Sequence, residues 1–212
     1  MTTFDVTADP DAGVAAAVAA LRRGDLVVLP TDTVYGLGAD AFSPAAVARL
    51  LAAKGRGRDL PVPVLVGNLR TIDGLALSVS DLTREVIETF WPGGLTVVVR
   101  AAPSLAWDLG ETRGTVAVRM PLHPVALAVL AETGPLAVSS ANRTGHPPST
   151  SAAEALAQLG SDVSVYLDGG PAGEPVPSTI VDLTGDRPRV LRVGAISVER
   201  LAEVVPGLEG PQ

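Results

Sequence analysis

Three cations fall within five residues at Lys54-Gly55-Arg56-Gly57-Arg58. The interleaved glycines let the backbone turn, so the side chains can converge on one anion. Arginine offers a phosphate or carboxylate two parallel hydrogen bonds, and lysine adds a point charge. The same cations would also complement the C-terminal dipole of a preceding helix, so the cluster alone leaves both accounts open. A second cluster, Pro30-Thr31-Asp32-Thr33-Val34-Tyr35-Gly36-Leu37-Gly38, follows an apolar run. Its hydroxyls, carboxylate and backbone N–H groups could hold a small zwitterion or a phosphate. It could equally be a turn in which Asp and Thr bond their own backbone. It lacks the glycine-lysine-hydroxyl ending of a phosphate loop.

A third cluster, Ser139-Ser140-Ala141-Asn142-Arg143-Thr144-Gly145, ends another apolar run, where ligands of α/β sheets sit. The glycine-flanked elbow of a serine nucleophile is absent there. The fourth is scattered. Arg119 and Arg192 each close an apolar strand-like segment, and Ser178 precedes one. A strand-end arginine often only reaches for water. On a chain of net charge −7, two of them suggest a shared anionic ligand. The two histidines, His123 and His146, read as surface loop residues with no metal-ligand spacing around them.

These clusters need elements to position them, and helical and strand-like segments alternate along the chain. Helices are expected at 11–23, 43–53, 80–90, 124–132, 151–160 and 197–205. Ser43, Ser80 and Ser151 stand as N-caps, and Ser151 with Glu154 has capping-box spacing. Strands are expected at 26–29, 62–66, 95–100, 115–119, 136–139, 163–167, 179–183 and 189–193. The expectation is an α/β fold: one domain over 1–205 with a mixed sheet of about seven strands flanked by helices, then a flexible tail at 206–212. The stretch 168–177 reads as a loop.

Composition narrows the class. Hydrophobic residues make up 47% and aromatics 3%, so the core must be aliphatic, as suits strands covered by helices. The acidic balance argues against non-specific nucleic-acid binding. With no cysteine there is no disulfide framework, thiolate nucleophile or cysteine-ligated zinc. No signal peptide is visible, and no apolar stretch reaches the roughly 20 residues of a membrane span. A cytoplasmic protein is the expectation.

Seven short motifs, in order, resemble those of the threonylcarbamoyl-AMP synthase family, the YrdC/TsaC domain. They are Pro-Thr-x-Thr-x-Tyr-Gly-Leu (30–37), Lys-x-Arg (54–56), Trp-Pro-Gly-x-Leu-Thr (91–96), Val-Arg-x-Pro (118–121), Ser-Ala-Asn (140–142), Pro-Ser-Thr-Ile-Val-Asp (177–182) and Leu-Arg-x-Gly (191–194). The resemblance covers about 24–194 and matches the short, single-domain form. It implies a twisted mixed sheet with a basic concave cleft. It implies that Lys54, Arg56, Ser140 and Asn142 line the nucleotide site, Lys54 and Arg56 as catalytic residues. Thr115 and Arg192 match further ATP contacts, and Thr33, Arg119 and Ser178 match contacts to threonine. The segment after Arg56 departs from the family pattern. Leu60 stands where the family has an Asn that contacts nucleotide, and Leu65 where it has a His near threonine. Pro148 stands at a position often held by a nucleotide-binding Ser. Arg58 is an extra cation available to compensate.

The activity implied is nucleotidyl transfer: L-threonine, bicarbonate and ATP give threonylcarbamoyl-AMP and pyrophosphate. Magnesium is expected with the ATP, with no tightly bound cofactor and no metal-ligand motif in the protein. The product would pass to a complex that modifies tRNA. The competing class is a paralogue of the same fold that binds nucleotide or double-stranded RNA without making the adenylate. The sequence singles out no general base.

Overall fold

A computed structural model describes residues 1–173 and 176–211; residues 174, 175 and 212, within the expected loop and tail, lie outside that description. Ten strands, among the described residues, join one mixed sheet: β1 (Thr2–Asp5), β2 (Val27–Leu29), β3 (Gly36–Asp40), β4 (Val64–Leu65), β5 (Leu95–Arg100), β6 (Thr115–Arg119), β7 (Leu136–Ser140), β8 (Val165–Asp168), β9 (Thr179–Asp182) and β10 (Arg189–Arg192). Their order is β1-β8-β2-β3-β7-β4-β6-β5-β9-β10. Parallel pairs (β1·β8, β8·β2, β4·β6, β5·β9) mix with antiparallel ones.

Two of these strands go beyond the expected set. β1 is a polar edge strand whose residues are mostly exposed, so it carries no apolar run to reveal it. β3 lies mid-sheet in what reads as a glycine-rich turn. Its glycines answer to packing: a Cβ at Gly36 would come within 2.7 Å of Val138 Cγ1, and one at Gly38 within 3.2 Å of Leu29 Cδ2.

The helices are α1 (Pro10–Arg22), α2 (Pro44–Lys54), α3 (Ile72–Leu75), α4 (Asp81–Phe90), α5 (Pro124–Thr133), α6 (Ala152–Leu159) and α7 (Val198–Ala202). Ser43, Ser80, Ser151 and Ser197 accept the backbone N–H three residues on, as N-caps do. The capping box reaches one residue further back: Glu154 accepts chiefly from the backbone and hydroxyl of Thr150. α7 ends at Ala202, earlier than expected. The segment beyond 206 is partly tied down, because Glu209 exchanges backbone hydrogen bonds with Pro188 and Val190 beside β10.

Strand alternation divides the core between the two faces of the sheet. On one face Val28, Leu37, Val64, Val97, Val118 and Val181 pack with α2, α4, α6 and α7. On the other, Val27, Leu29, Leu136, Val138, Val165 and Leu167 pack with α1 and α5. This second face is covered only in part. Along β6, β5 and β9, alternate residues on the same face (Thr115, Ala117, Val98, Ile180, Asp182) stay half-buried while their neighbours are fully buried. No helix lies over them among the described residues.

Candidate active site

Arg119 ends β6 on this open face and is buried. Its Nη1 donates to Thr33 Oγ1 at 2.8 Å, its Nη2 to Asp32 Oδ1 at 2.7 Å and its Nε to the Gly93 carbonyl at 2.9 Å. The Trp91-Pro92-Gly93 turn supplies that carbonyl and is held by Trp91 Nε1 on Leu95 O and Gly93 N on Met120 O. Burial pushes the guanidinium's pKa down, and the Asp32 carboxylate pushes it back up. Thr33 sits in the β2–β3 connection. Thr31 Oγ1 donates to Val34 O at 2.7 Å, so the 3.1 Å contact between the two hydroxyls has Thr33 donating to Thr31.

Ser178 and Arg192 meet beside this group. Arg192 donates from Nε and Nη2 to Ser178 O, and from Nη2 to Ser178 Oγ. Ser178 Oγ lies 2.8 Å from Thr96 Oγ1, on the buried start of β5. The glycine of the Leu-Arg-x-Gly motif has a steric cause: any Cβ at Gly194 would collide with the carbonyls of Pro177 and Ser178. Burial lowers the Arg192 pKa first, and then the nearby charges of Arg119 and Arg56 lower it further. Arg192, on β10, therefore lies within electrostatic reach of two other guanidinium groups, Arg119 on β6 and Arg56 after α2. Such a cluster lowers its energy by taking up an anion.

Lys54 closes α2, with Gly55 in the left-handed conformation just after it. Its ammonium is buried and donates to Ser140 O at 2.5 Å, Asn142 O at 2.6 Å and Asn142 Oδ1 at 3.2 Å. Burial, with a smaller push from Arg56, lowers its pKa to about 8. Asn142 donates from Nδ2 to the carbonyls of Arg143 and His146. Ser140 Oγ makes no hydrogen bond among the described residues. Arg56 donates to Leu60 O, Ser139 Oγ and Pro61 O, and burial lowers its pKa.

The expected site residues therefore form two linked groups. Thr33, Arg119, Ser178 and Arg192 make one, and Lys54, Arg56, Ser140 and Asn142 the other. The charge of Arg56, felt at Arg192, connects them. Thr115 lies on the same face of β6 as Arg119, four residues and about 13 Å away along the strand. Its hydroxyl donates to Thr112 O.

Other expectations change. Arg58 does not turn to the site: it is exposed and makes a two-bond ion pair with Asp108 at 2.7 and 3.0 Å. Leu65 is buried in the α1/α5 core as the register partner of Arg119. Leu60 is half exposed, and its carbonyl holds Arg56. His146 is exposed, but His123 is not a free surface residue. It is half-buried where α5 begins, its Nδ1 is enclosed without a partner, and burial lowers its pKa. Asp32 and Ser139, members of the second and third clusters, and Thr96 are neighbours of these groups that the motif roles do not name. The signal available for Thr96 is a hydroxyl inside an apolar strand.

Among the described residues no three His, Asp or Glu side chains gather as a metal site, and no helix is long and apolar enough to cross a membrane.

The Sua5/YciO/YrdC family profile, described as "Telomere recombination", matches residues 19–194. A Mycobacterium tuberculosis relative carrying the threonylcarbamoyl-AMP synthase name is 61% identical over 206 residues, covering 96% of this chain and 94% of its own. The Bacillus subtilis threonylcarbamoyl-AMP synthase is 39% identical over 94% of this chain and 58% of its own length. Pyrococcus abyssi Sua5, solved as an H234A/Y235A variant, superposes with a TM-score of 0.95 at 32% identity, over 99% of this chain and 62% of that one. Its complex with L-threonine gives 0.88 at 35% identity, over 93% and 58%. The chain belongs to the Sua5/YciO/YrdC family, in its threonylcarbamoyl-AMP synthase branch.

Proposed function

We propose that this chain, as a threonylcarbamoyl-AMP synthase, assembles its product on the open face of β6, β5 and β9, with Arg56, Arg119 and Arg192 holding the anions. L-Threonine is placed at Thr33, Arg119 and Ser178, and the nucleotide at Lys54, Arg56, Thr115, Ser140, Asn142 and Arg192. The L-threonine complex of the P. abyssi relative supports threonine as the amino acid. The convergence of Arg56, Arg119 and Arg192 carries the reading, because the reaction gathers a carboxylate, a carbamate and a triphosphate in one place.

The threonine nitrogen, freed of its ammonium proton, takes up the carbon of bicarbonate and water leaves, giving a carbamate. A carbamate oxygen attacks the α-phosphorus as the bond to the β-phosphate oxygen breaks. Pyrophosphate leaves, and threonylcarbamoyl-AMP remains. Fixed guanidinium groups offset the charge that builds on the phosphate in the transition state, which in comparable sites is worth about 3–4 kcal/mol per donor. Holding the reactants in line contributes further. Lys54, with all three N–H groups on Ser140 and Asn142, shapes the turn that presents the Ser140 hydroxyl. Magnesium would arrive on the triphosphate. Among the described residues, no three His, Asp or Glu side chains gather to hold it. The product, a reactive mixed anhydride, suits direct delivery in the cytoplasm to a tRNA-modifying complex.

The test is product formation. Protein incubated with ATP, magnesium, bicarbonate and L-threonine should yield threonylcarbamoyl-AMP by mass spectrometry, with pyrophosphate in equal amount. Product formed without threonine, or ATP bound with no product at all, would sink this reading.

A further inference from the structure

The arginine cluster accounts for anions, but an amino acid also brings a cation. Among the described residues one carboxylate stands inside the group that holds Thr33 and Arg119: Asp32. Its Oδ1 is fully engaged, accepting from Arg119 Nη2 at 2.7 Å and from the Leu122 backbone N–H at 2.8 Å. Among the described residues its Oδ2 accepts no hydrogen bond. The side chain retains 16% exposure, twice that of Arg119, so the pair is buried at one end and open at the other.

Next to it, the Thr33 hydroxyl has its donor committed to Thr31 and one lone pair committed to Arg119. What remains is an acceptor. Asp32 and Thr33 are chain neighbours held by the same guanidinium, and each keeps an acceptor unfilled, one of them anionic, while Arg119 and Arg192 supply donors. This is the complement of a zwitterion. The backbone bond from Leu122 and the ion pair to Arg119 keep the carboxylate from swinging away.

Resting on the threonine reading above, we propose that Asp32 is the ammonium-recognising residue of the amino-acid site. Asp32 Oδ2 and Thr33 Oγ1 receive the α-ammonium group of the entering substrate, and they discriminate against acids that lack it. When the nitrogen becomes a carbamate nitrogen it loses its charge and keeps a single N–H, so the ion pair lapses and at most a neutral hydrogen bond remains. Asp32 therefore selects the substrate without holding the carbamate back from the nucleotide.

The experiment compares two ligands by calorimetry, in the presence of α,β-methylene-ATP: L-threonine and (2S,3R)-2,3-dihydroxybutanoate, which replaces the ammonium with a hydroxyl. Wild-type protein should prefer threonine by roughly 10- to 100-fold, the range of a charge-assisted hydrogen bond. In Asp32→Asn the preference should shrink to about twofold or less, with affinity for the dihydroxy acid kept. A merely structural role for Asp32 would weaken both ligands together, and that result overturns the proposal. So does equal binding of the two by wild-type protein. If wild-type protein binds the dihydroxy acid but no threonine, or neither ligand, the threonine reading itself fails and takes this inference with it. Should Asp32→Asn not fold, Asp32→Glu keeps the charge and should keep the preference for threonine. An equal affinity for both ligands in that variant would also overturn it.

Discussion

The same face of the sheet is built in two ways. Over β2, β7 and β8 it is apolar and roofed by α1 and α5, whose Ala17, Ala20, Leu21, Val125, Ala126, Val129 and Leu130 fill the space. Over β6, β5 and β9 no helix covers it among the described residues: Thr115, Ala117, Val98 and Ile180 on this face are half-buried, and the polar Thr96 and Arg119 beside them are buried. Strand alternation is identical in the two halves. The covered half stabilises the fold by removing apolar surface from water. The open half gives up that burial and gains a floor on which cations are held in place by backbone carbonyls.

Substitutions should separate the halves, and the largest effect belongs to the open one. Arg119→Met should lower kcat/KM for threonine by about 10³-fold or more, since it removes a fixed charge from the reacting region. Circular dichroism should still report a folded protein. Arg119→Lys should rescue little, because an ammonium cannot serve Thr33, Asp32 and Gly93 at once. In the covered half, Leu130→Ala should cost about 2–5 kcal/mol of unfolding free energy by denaturant titration. Its KM values should stay unchanged at temperatures where it is folded. If Leu130→Ala changed KM and Arg119→Met mainly destabilised, the division would be wrong.

Ala117 sharpens the contrast. Ala117→Phe would raise a wall on the open floor and should cut turnover roughly 10²-fold through misplacement of the reactants, with little change in melting temperature.

A smaller effect should appear with pH at Lys54. Its pKa, lowered from 10.5 to about 8, means that the proton leaves the folded protein before it leaves the unfolded chain. Between pH 8 and 10.5 the unfolded state binds more protons, so this residue's contribution to stability rises with pH and is lost as pH falls through 8. Activity should run the other way. As pH rises through 8, Lys54 loses the charge with which it holds Ser140 and Asn142, and turnover should fall. Lys54→Met should remove both trends, as melting curves and pH–rate profiles can show.

The smallest effect is expected at Arg58. It is exposed and paired with Asp108, so Arg58→Ala should leave the KM for ATP within about twofold and the melting temperature unchanged within error. A large rise in KM would restore the compensating role that its place after Arg56 suggests.

Much of this was readable in the residues. Serines three positions ahead of helix interiors cap α2, α4, α6 and α7 because a hydroxyl satisfies an orphan N–H wherever the chain allows it. The ordered motifs contain the residues that the fold brings into two groups. What stayed hidden depends on partners distant in sequence. Gly36–Asp40 reads as a turn until Val138 and Leu29 are seen to require its glycines. Arg58 resembles its neighbours until Asp108 arrives from 50 residues away. Asp32 reads as a turn former until Arg119 meets it. The open floor has no local signal, because exposure of Ala117 and Val98 depends on where α1 and α5 stop.

The most direct test of the account is a crystal structure with L-threonine and α,β-methylene-ATP bound. Both ligands should lie over β6, β5 and β9, threonine at Arg119 and Thr33 and the phosphates between Arg56 and Arg192. Nucleotide or threonine bound elsewhere, as in the groove between α1 and α5, with Arg56, Arg119 and Arg192 left untouched, would contradict it.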